Sequence, residues 1–217
     1  MIKSKRLEKI NEVLPKTDIV IDVGADHGYL EELLIQSKKV NRIIATDIST
    51  KSLQKTQKRA EKLGILDKIE LVCCDGLQFK GQSKSNIAII AGIGGVETVN
   101  IIDNSTKKEV NEFILVPVQN AIYVREYLIS KNYEFISDET IFEKGKFYSV
   151  IHCKKSSKGN WNEKYFGITD LKNQGEDFKR FVDRELKNLK FLDNENLAIK
   201  ATEKLDYRNK LLRLKGE

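Results

Sequence analysis

The sequence predicts an α/β fold: a parallel sheet with helices on both faces, an antiparallel hairpin at its edge, and a C-terminal pair of helices. Three observations predict it. Short apolar runs alternate with helix-period stretches along residues 19–131. Two β-rich runs then meet across Glu143-Lys144-Gly145-Lys146, and beyond them apolar residues recur at helical spacing to the end of the chain.

The elements follow in order. Leu7, Ile10 and Leu14 before Pro15 predict a short amphipathic helix over 5–14. Strands are expected at Ile19 to Val23, Arg42 to Asp47, Ile69 to Cys74, Ile87 to Ala91 and Phe113 to Val116. Helices are expected between them at Tyr29 to Ser37, at Ser49 to Leu63 with Gly64 as the stop, from Glu97 to Ile102, and at Ala121 to Lys131. Phe135 to Phe142 and Phe147 to Lys154 form the hairpin. Lys155 to Asn160 reads as a linker, which divides the chain into residues 1–155 and 156–217. In the second part Phe178, Phe181, Val182, Leu186, Leu189 and Leu192 make one helical stripe. Leu197, Ala201, Leu205, Leu211 and Leu212 make another, with a turn at Asp193-Asn194.

With 40% hydrophobic and 32% charged residues the chain has material for a true core, which excludes disorder. Its apolar runs are too short to cross a bilayer, and no signal core follows the basic N-terminus, so no membrane partner and a cytoplasmic location are expected. Cys73, Cys74 and Cys153 lack ligand spacing, so free thiols and no metal are expected. Residues 154–217 hold 16 Lys+Arg against 11 Asp+Glu, while the rest is almost balanced. A basic segment on a near-neutral domain suits a polyanion such as RNA, although a lysine-rich proteome would give the same bias. A monomer is expected.

The chemistry concentrates at Asp22-Val23-Gly24-Ala25-Asp26-His27-Gly28-Tyr29, where the first strand hands over to the first sheet-facing helix. Gly24 and Gly28 permit a tight turn and close ligand approach, at the strand ends where open α/β sheets bind small molecules. A three-glycine dinucleotide loop is absent, and Asp22 with Asp26 would repel a pyrophosphate. The same acids attract a sulfonium carrying an ammonium group, which is the charge pattern of S-adenosylmethionine. Asp47, followed by Ile48, ends the second strand and suits both hydroxyls of a ribose; Asp75-Gly76 ends the third and suits an adenine amino group. Acidic strand ends are often mere caps, but three in succession point to a nucleoside. The fourth strand runs into Ala91-Gly92-Ile93-Gly94-Gly95, whose bare amides let a planar base approach the transferred methyl. The pattern differs from the Pro-Pro-Tyr motif of enzymes acting on exocyclic adenine nitrogen.

On these residues the chain resembles the TrmK-type bacterial tRNA (adenine-22-N1)-methyltransferases. The likeness is carried by Ser4-Lys5-Arg6-Leu7, Asp22 through Leu30, Asp75-Gly76-Leu77, Ala91 through Gly95, Arg125-Glu126-Tyr127-Leu128 and Gly145-Lys146-Phe147-Tyr148, and the tail is similar to the family's helical coiled-coil domain. It implies a class I Rossmann-like methyltransferase domain, S-adenosylmethionine as donor and tRNA as acceptor. One departure stands out: where the family shows Leu-Gln-Pro-Asn after the fifth strand, this chain has Leu115-Val116-Pro117-Val118, with Gln119-Asn120 displaced downstream.

Cofactor contacts are therefore expected from Asp22, Gly24, Asp26, Gly28, Tyr29, Asp47, Ile48, Asp75, Gly76, Ala91, Gly92 and Gly94. Asp26 and His27 are the catalytic candidates: a carboxylate would stabilise the positive charge that adenine acquires, unless Asp26 only orients the cofactor. Tyr29, Tyr123 or Tyr148 could stack on the base, and Lys5, Arg6, Arg125, Lys179, Arg180 and Arg184 could meet phosphates. The rival readings are a methyltransferase acting on another RNA or on a small molecule, and a non-catalytic RNA-binding relative. The last predicts lost acidic strand ends, and all three are present.

Overall fold

The computed structural model describes residues 4–80, 85–189 and 200–216. Helix α1 (Lys5–Val13) is capped by Ser4, whose hydroxyl accepts from the Leu7 amide, and buries Ile10 against the sheet. The order then runs β1 (Ile19–Val23), α2 (Tyr29–Gln36), β2 (Arg42–Asp47), α3 (Thr50–Leu63), β3 (Ile69–Cys73), β4 (Ile87–Ala91), α4 (Gly95–Asp103), β5 (Glu112–Val116) and α5 (Ala121–Ser130). Ser49 caps α3, and Gly64 closes it in the left-handed conformation.

The strands stand in the order β3-β2-β1-β4-β5-β7-β6, with β1 to β5 parallel. Strands buried on both faces show why their sequences are continuous apolar runs rather than alternating ones. Val20, Ile43, Ile89 and Ile114 point into one core with α1, α2 and α3, while Ile21, Ile44, Ile90 and Leu115 point into the other with α4 and α5. The hairpin of β6 (Glu134–Glu143) and β7 (Lys146–Lys154) lies at the sheet's edge, as the sequence predicts. The antiparallel strand is β7, which inserts between β5 and β6, so β6 forms the rim.

The tail crosses that rim. It contains a short helix α6 (Ile168–Asn173) that the periodicity did not reveal, then α7 (Glu176–Asn188) and α8 (Lys200–Lys215). Phe178, Val182 and Leu189 of the first stripe join Tyr165, Phe166 and Leu211 in a separate cluster, whereas Leu205 is exposed. The expected turn at Asp193-Asn194 and the positions Leu192 and Leu197 lie outside the described residues, as does the side chain of Ala201.

Polar side chains of the tail occupy the free hydrogen-bonding edge of β6. Asn160 accepts from the Phe135 amide and donates to its carbonyl, at 2.8 and 3.0 Å. Thr169 accepts from the Asp138 amide at 3.1 Å, Asp170 from Thr140 at 2.9 Å and Asp177 from Phe142 at 2.7 Å. Each donor left without a partner would cost about 1–3 kcal/mol, and an open rim strand invites pairing with another chain. Lys155 to Asn160 is accordingly anchored at Asn160 rather than a free linker.

Arg125 belongs to the same seam, and this corrects its reading as a phosphate contact. Its side chain is 3% exposed. Nε and Nη2 donate to the two Asp138 carboxylate oxygens at 2.6 and 2.9 Å, Nη2 also to Ser149 at 2.8 Å, and Nη1 to the Tyr165 carbonyl at 3.2 Å. Burial opposes the guanidinium charge, but the adjoining Asp138 carboxylate outweighs it and raises the Arg125 pKa above its usual range. The residue locks α5, β6, β7 and the tail together.

Candidate active site

The loop between β1 and α2 is built around backbone that few residues tolerate. Gly24, His27 and Gly28 all have positive φ, at 84°, 71° and 71°. The Thr46 carbonyl of β2 takes the Gly24 and Ala25 amides at 2.8 and 3.0 Å. One face of α3 braces the rest: Lys55 reaches the Asp26 carboxylate at 3.0 Å, Thr56 the Ala25 carbonyl at 3.3 Å, and Arg59 the His27 carbonyl at 2.9 Å. The Arg59 guanidinium also lies 3.8 Å over the Tyr29 ring. Tyr29 is thereby held under His27, with ring centroids 5.8 Å apart.

This loop forms one wall of a cavity of about 430 Å³, within the range of small-ligand sites. Asp22, Gly24, Asp26, His27, Tyr29, Ala91 and Gly92 line it together, with Ser4 and Arg6 from the N-terminal helix closing one side. The other predicted contacts fall beside rather than within it. Asp47 accepts the Ser49 amide at 2.6 Å, Ile48 is 77% exposed, and Asp75 is exposed at the end of β3. All three lie at the carboxyl ends of adjacent parallel strands, continuing the floor away from Asp22.

Among the lining residues that the sequence reading missed, Glu31 is the one with chemistry to offer. Glu31, on the buried face of α2, is 1% exposed, and its Oε1 has no hydrogen-bond partner. The signal available was an acid next to Leu30 in an apolar helix, which reads equally well as first-turn charge. Burial raises the pKa of Glu31 to about 7. It also raises Asp22, where repulsion from Glu31 and Asp47 adds to burial. The pair therefore retains a proton near neutrality. Asp26 behaves oppositely: slight burial opposes its charge, but the hydrogen bond from Lys55 and the proximity of His27, at 3.3 Å, bring its pKa below the usual value.

The opposite side of the site is formed where β4 and β5 end. Gly92 donates to the Val116 carbonyl at 3.1 Å, Val118 to Ile93 at 3.0 Å and Gly95 to Gln119 at 3.0 Å, so the two loops are laced together. Gly95 has to be glycine: a Cβ there would lie 2.6 Å from the Asn120 carbonyl oxygen. Gln119 lies against Gly94, and Asn120 caps α5 in the left-handed conformation with φ 60°. The displaced Gln119-Asn120 pair is thus brought back beside Gly94, and both residues are exposed.

Three of the remaining predicted RNA contacts lie over the β6–β7 hairpin. Arg6, Arg180 and Arg184 lie over the rings of Tyr148, Phe142 and Phe147 at 4.5, 4.2 and 4.3 Å. Each also meets an acid: Glu143 at 2.6 Å, Asp177 at 3.7 Å and Glu185 at 3.2 Å. Lys5 lies 3.5 Å from Asp177, and Lys179 is exposed on α7. Among the described residues no group of three His, Cys, Asp or Glu could hold a metal, and no helix is long and apolar enough to cross a membrane.

Residues 3–151 match the family described as a methyltransferase domain. The tRNA (adenine(22)-N(1))-methyltransferase of Bacillus subtilis is 30% identical over 170 residues, covering 76% of this chain and 69% of that protein. The structure of M. capricolum TrmK in complex with S-adenosyl-homocysteine is similar at TM-score 0.83 and 24% identity, covering 99% of this chain and 98% of the other. The B. subtilis m1A22 tRNA methyltransferase TrmK gives 0.79 and 24%, covering 98% and 97%. At that identity the two structures establish a shared fold, tail included. With a family match over residues 3–151 and a relative at 30% identity, the chain belongs to the methyltransferase-domain family and, within it, to the TrmK family.

Proposed function

We propose that this chain transfers a methyl group from S-adenosylmethionine to N1 of an adenine in tRNA, at position 22 as in its B. subtilis relative. The observation that carries the reading is that relationship, at 30% identity over 69% of an enzyme named for this reaction. The site's chemistry supports it. The pocket offers Asp22, Asp26 and the orphaned Glu31 oxygen to a cationic amino-acid end. Asp47 and Asp75, at the carboxyl ends of β2 and β3, suit a ribose and an adenine edge. These residues fit the donor. Bound there, S-adenosylmethionine supplies an electrophilic methyl on a sulfonium.

The chain's own work is then to position and to shield. Adenine N1 carries an in-plane lone pair and needs no base, so in-line presentation and exclusion of water dominate. The Gly92–Gly95 backbone, laced to Val116–Gln119, gives a flat floor for the base. Asp26, kept ionised by Lys55, faces the positive charge that develops on adenine. His27 holds the other Asp26 oxygen. Lys5, Arg6, Lys179, Arg180 and Arg184 are the proposed phosphate contacts, residues 156–217 the RNA-binding part, and the cytoplasm the place of action.

The test is methyl transfer from labelled donor to unmodified tRNA transcripts. One methyl per tRNA is expected, and none on a transcript with guanine at position 22. Transfer to both transcripts, or to neither, would reject the assignment.

A further inference from the structure

A second cavity, of about 480 Å³, opens between the β5–α5 loop, the hairpin and helix α7. We propose that it takes an unstacked base of the RNA strand next to the methylated adenine, so that the enzyme holds two bases side by side. The inference rests on the tRNA reading above and adds a binding site to it.

Four observations carry it. The rim holds Val118, Ile122 and Tyr123, which are 43%, 37% and 43% exposed, so three large apolar side chains face water within six residues. Among the described residues they stay exposed rather than packed into a core, and such clusters mark binding surfaces. The wall is aromatic, with Phe147, Tyr148 and Phe181 all half-buried. Aromatic walls accept any base by stacking.

The cavity also adjoins the first one. Val116 lines the first and Pro117 the second, while Arg6 of the first stacks on Tyr148 of the second. Two neighbouring pockets divided by a guanidinium suit two successive bases with a phosphate between them. Finally, the acids of the second cavity are already engaged. Glu126 pairs with Lys164 at 2.7 Å, and Glu185 with Arg184 at 3.2 Å and the Tyr207 hydroxyl at 3.3 Å. The wall does not repel a nucleotide.

The physical need is clear. Extruding one adenine from a stacked strand strips a face from its neighbour, and that cost falls if the neighbour also finds a stacking partner. Exposed Gln119 and Asn120 line this cavity and offer polar groups to the edge of a base held in it.

Tyr123 is the residue to change, because it lies on the solvent face of α5 and its loss leaves the core intact. Tyr123→Ala should raise the KM for tRNA about tenfold and leave the dissociation constant for S-adenosylmethionine unchanged, and Tyr123→Phe should restore it. A transcript with an abasic residue beside the acceptor, on one side or the other, should raise the wild-type KM similarly but have little further effect on Tyr123→Ala. A transcript with 2-aminopurine at that neighbour should be quenched by the wild type and not by Tyr123→Ala, whether or not methyl is transferred. Independent, multiplying effects of the two changes, or no quenching at either neighbour, would overturn the proposal. So would a Tyr123→Ala enzyme with normal KM, which would leave the patch to a protein partner. If the wild type methylates no tRNA, the activity is wrong, and quenching alone then decides the cavity.

Discussion

Arg125→Ala would leave the Asp138 carboxylate buried at 0% exposure with neither oxygen paired to a cation. It would also remove the donors to Ser149 and to the Tyr165 carbonyl. Stranding one member of a buried ion pair costs about 3–5 kcal/mol. For a chain of this size each kcal/mol moves the melting temperature by about 2–4 °C, so a fall of roughly 6–20 °C is expected. Arg125→Ala/Asp138→Leu, which removes both charges, should recover much of it. Calorimetry reads the stability, and titration with tRNA at several salt concentrations, below both melting points, reads the phosphate contacts. The salt slope should match the wild type, because the guanidinium, where it borders the second cavity, is already engaged by Asp138, Ser149 and the Tyr165 carbonyl. A melting temperature unchanged in Arg125→Ala, with the salt slope reduced by about one, would refute the structural role and restore the phosphate contact.

Three further outcomes follow from the site. The Asp22–Glu31 pair has raised carboxyl pKa values, so its contribution to stability is full at acid pH, where both folded and unfolded carboxyls are protonated. It is lost as pH rises toward and through about 7. A cationic ligand favours the ionised pair, so cofactor affinity should rise as pH passes through about 7. Glu31→Gln should flatten that rise in calorimetric titrations, and an unchanged profile would exclude the pair from the site. Asp26→Asn should lower turnover about a hundredfold with cofactor affinity retained; lost affinity would assign Asp26 to cofactor orientation instead. Gly95→Ala should push the Gln119–Asn120 backbone away and cost about a hundredfold in transfer, and a wild-type rate would show that the lacing of the two loops has no part in presenting the base.

The parts of the molecule legible in the sequence are those governed by local pattern. Strands β1, β2, β4 and β5 are buried on both faces, so each appears as an apolar run bounded by turn residues, while β3 at the sheet's edge keeps Glu70 exposed; Ser49 and Gly64 mark the ends of α3 where capping chemistry requires them. The loop at Asp22 to Tyr29 was legible because its acids and glycines are adjacent in the chain. What was not legible depends on residues far apart. Arg125 meets Asp138 across 13 positions, and Asp170 reaches the Thr140 amide across 30. No periodicity signals that an arginine in α5 is clamped rather than solvated. Glu31 was hidden for the opposite reason: an acid in a first helical turn is ordinary, and only the placement of α2 against β1 shows it to be buried beside Asp22. The second cavity depends on the tail's position against the hairpin, and the tail's helical stripes carry no information on where they dock.

The central claim is that the methyl goes to N1 of one adenine in tRNA, and the product nucleoside tests it most directly. A methyl on N1 blocks the Watson–Crick edge and arrests reverse transcription, whereas one on the exocyclic nitrogen does not. After reaction of the purified protein with an unmodified transcript and S-adenosylmethionine, N1-methyladenosine in the digest and a single new arrest at adenine 22 are the predicted result. N6-methyladenosine without arrest, or no methylated nucleoside in any tRNA tested, would contradict the account.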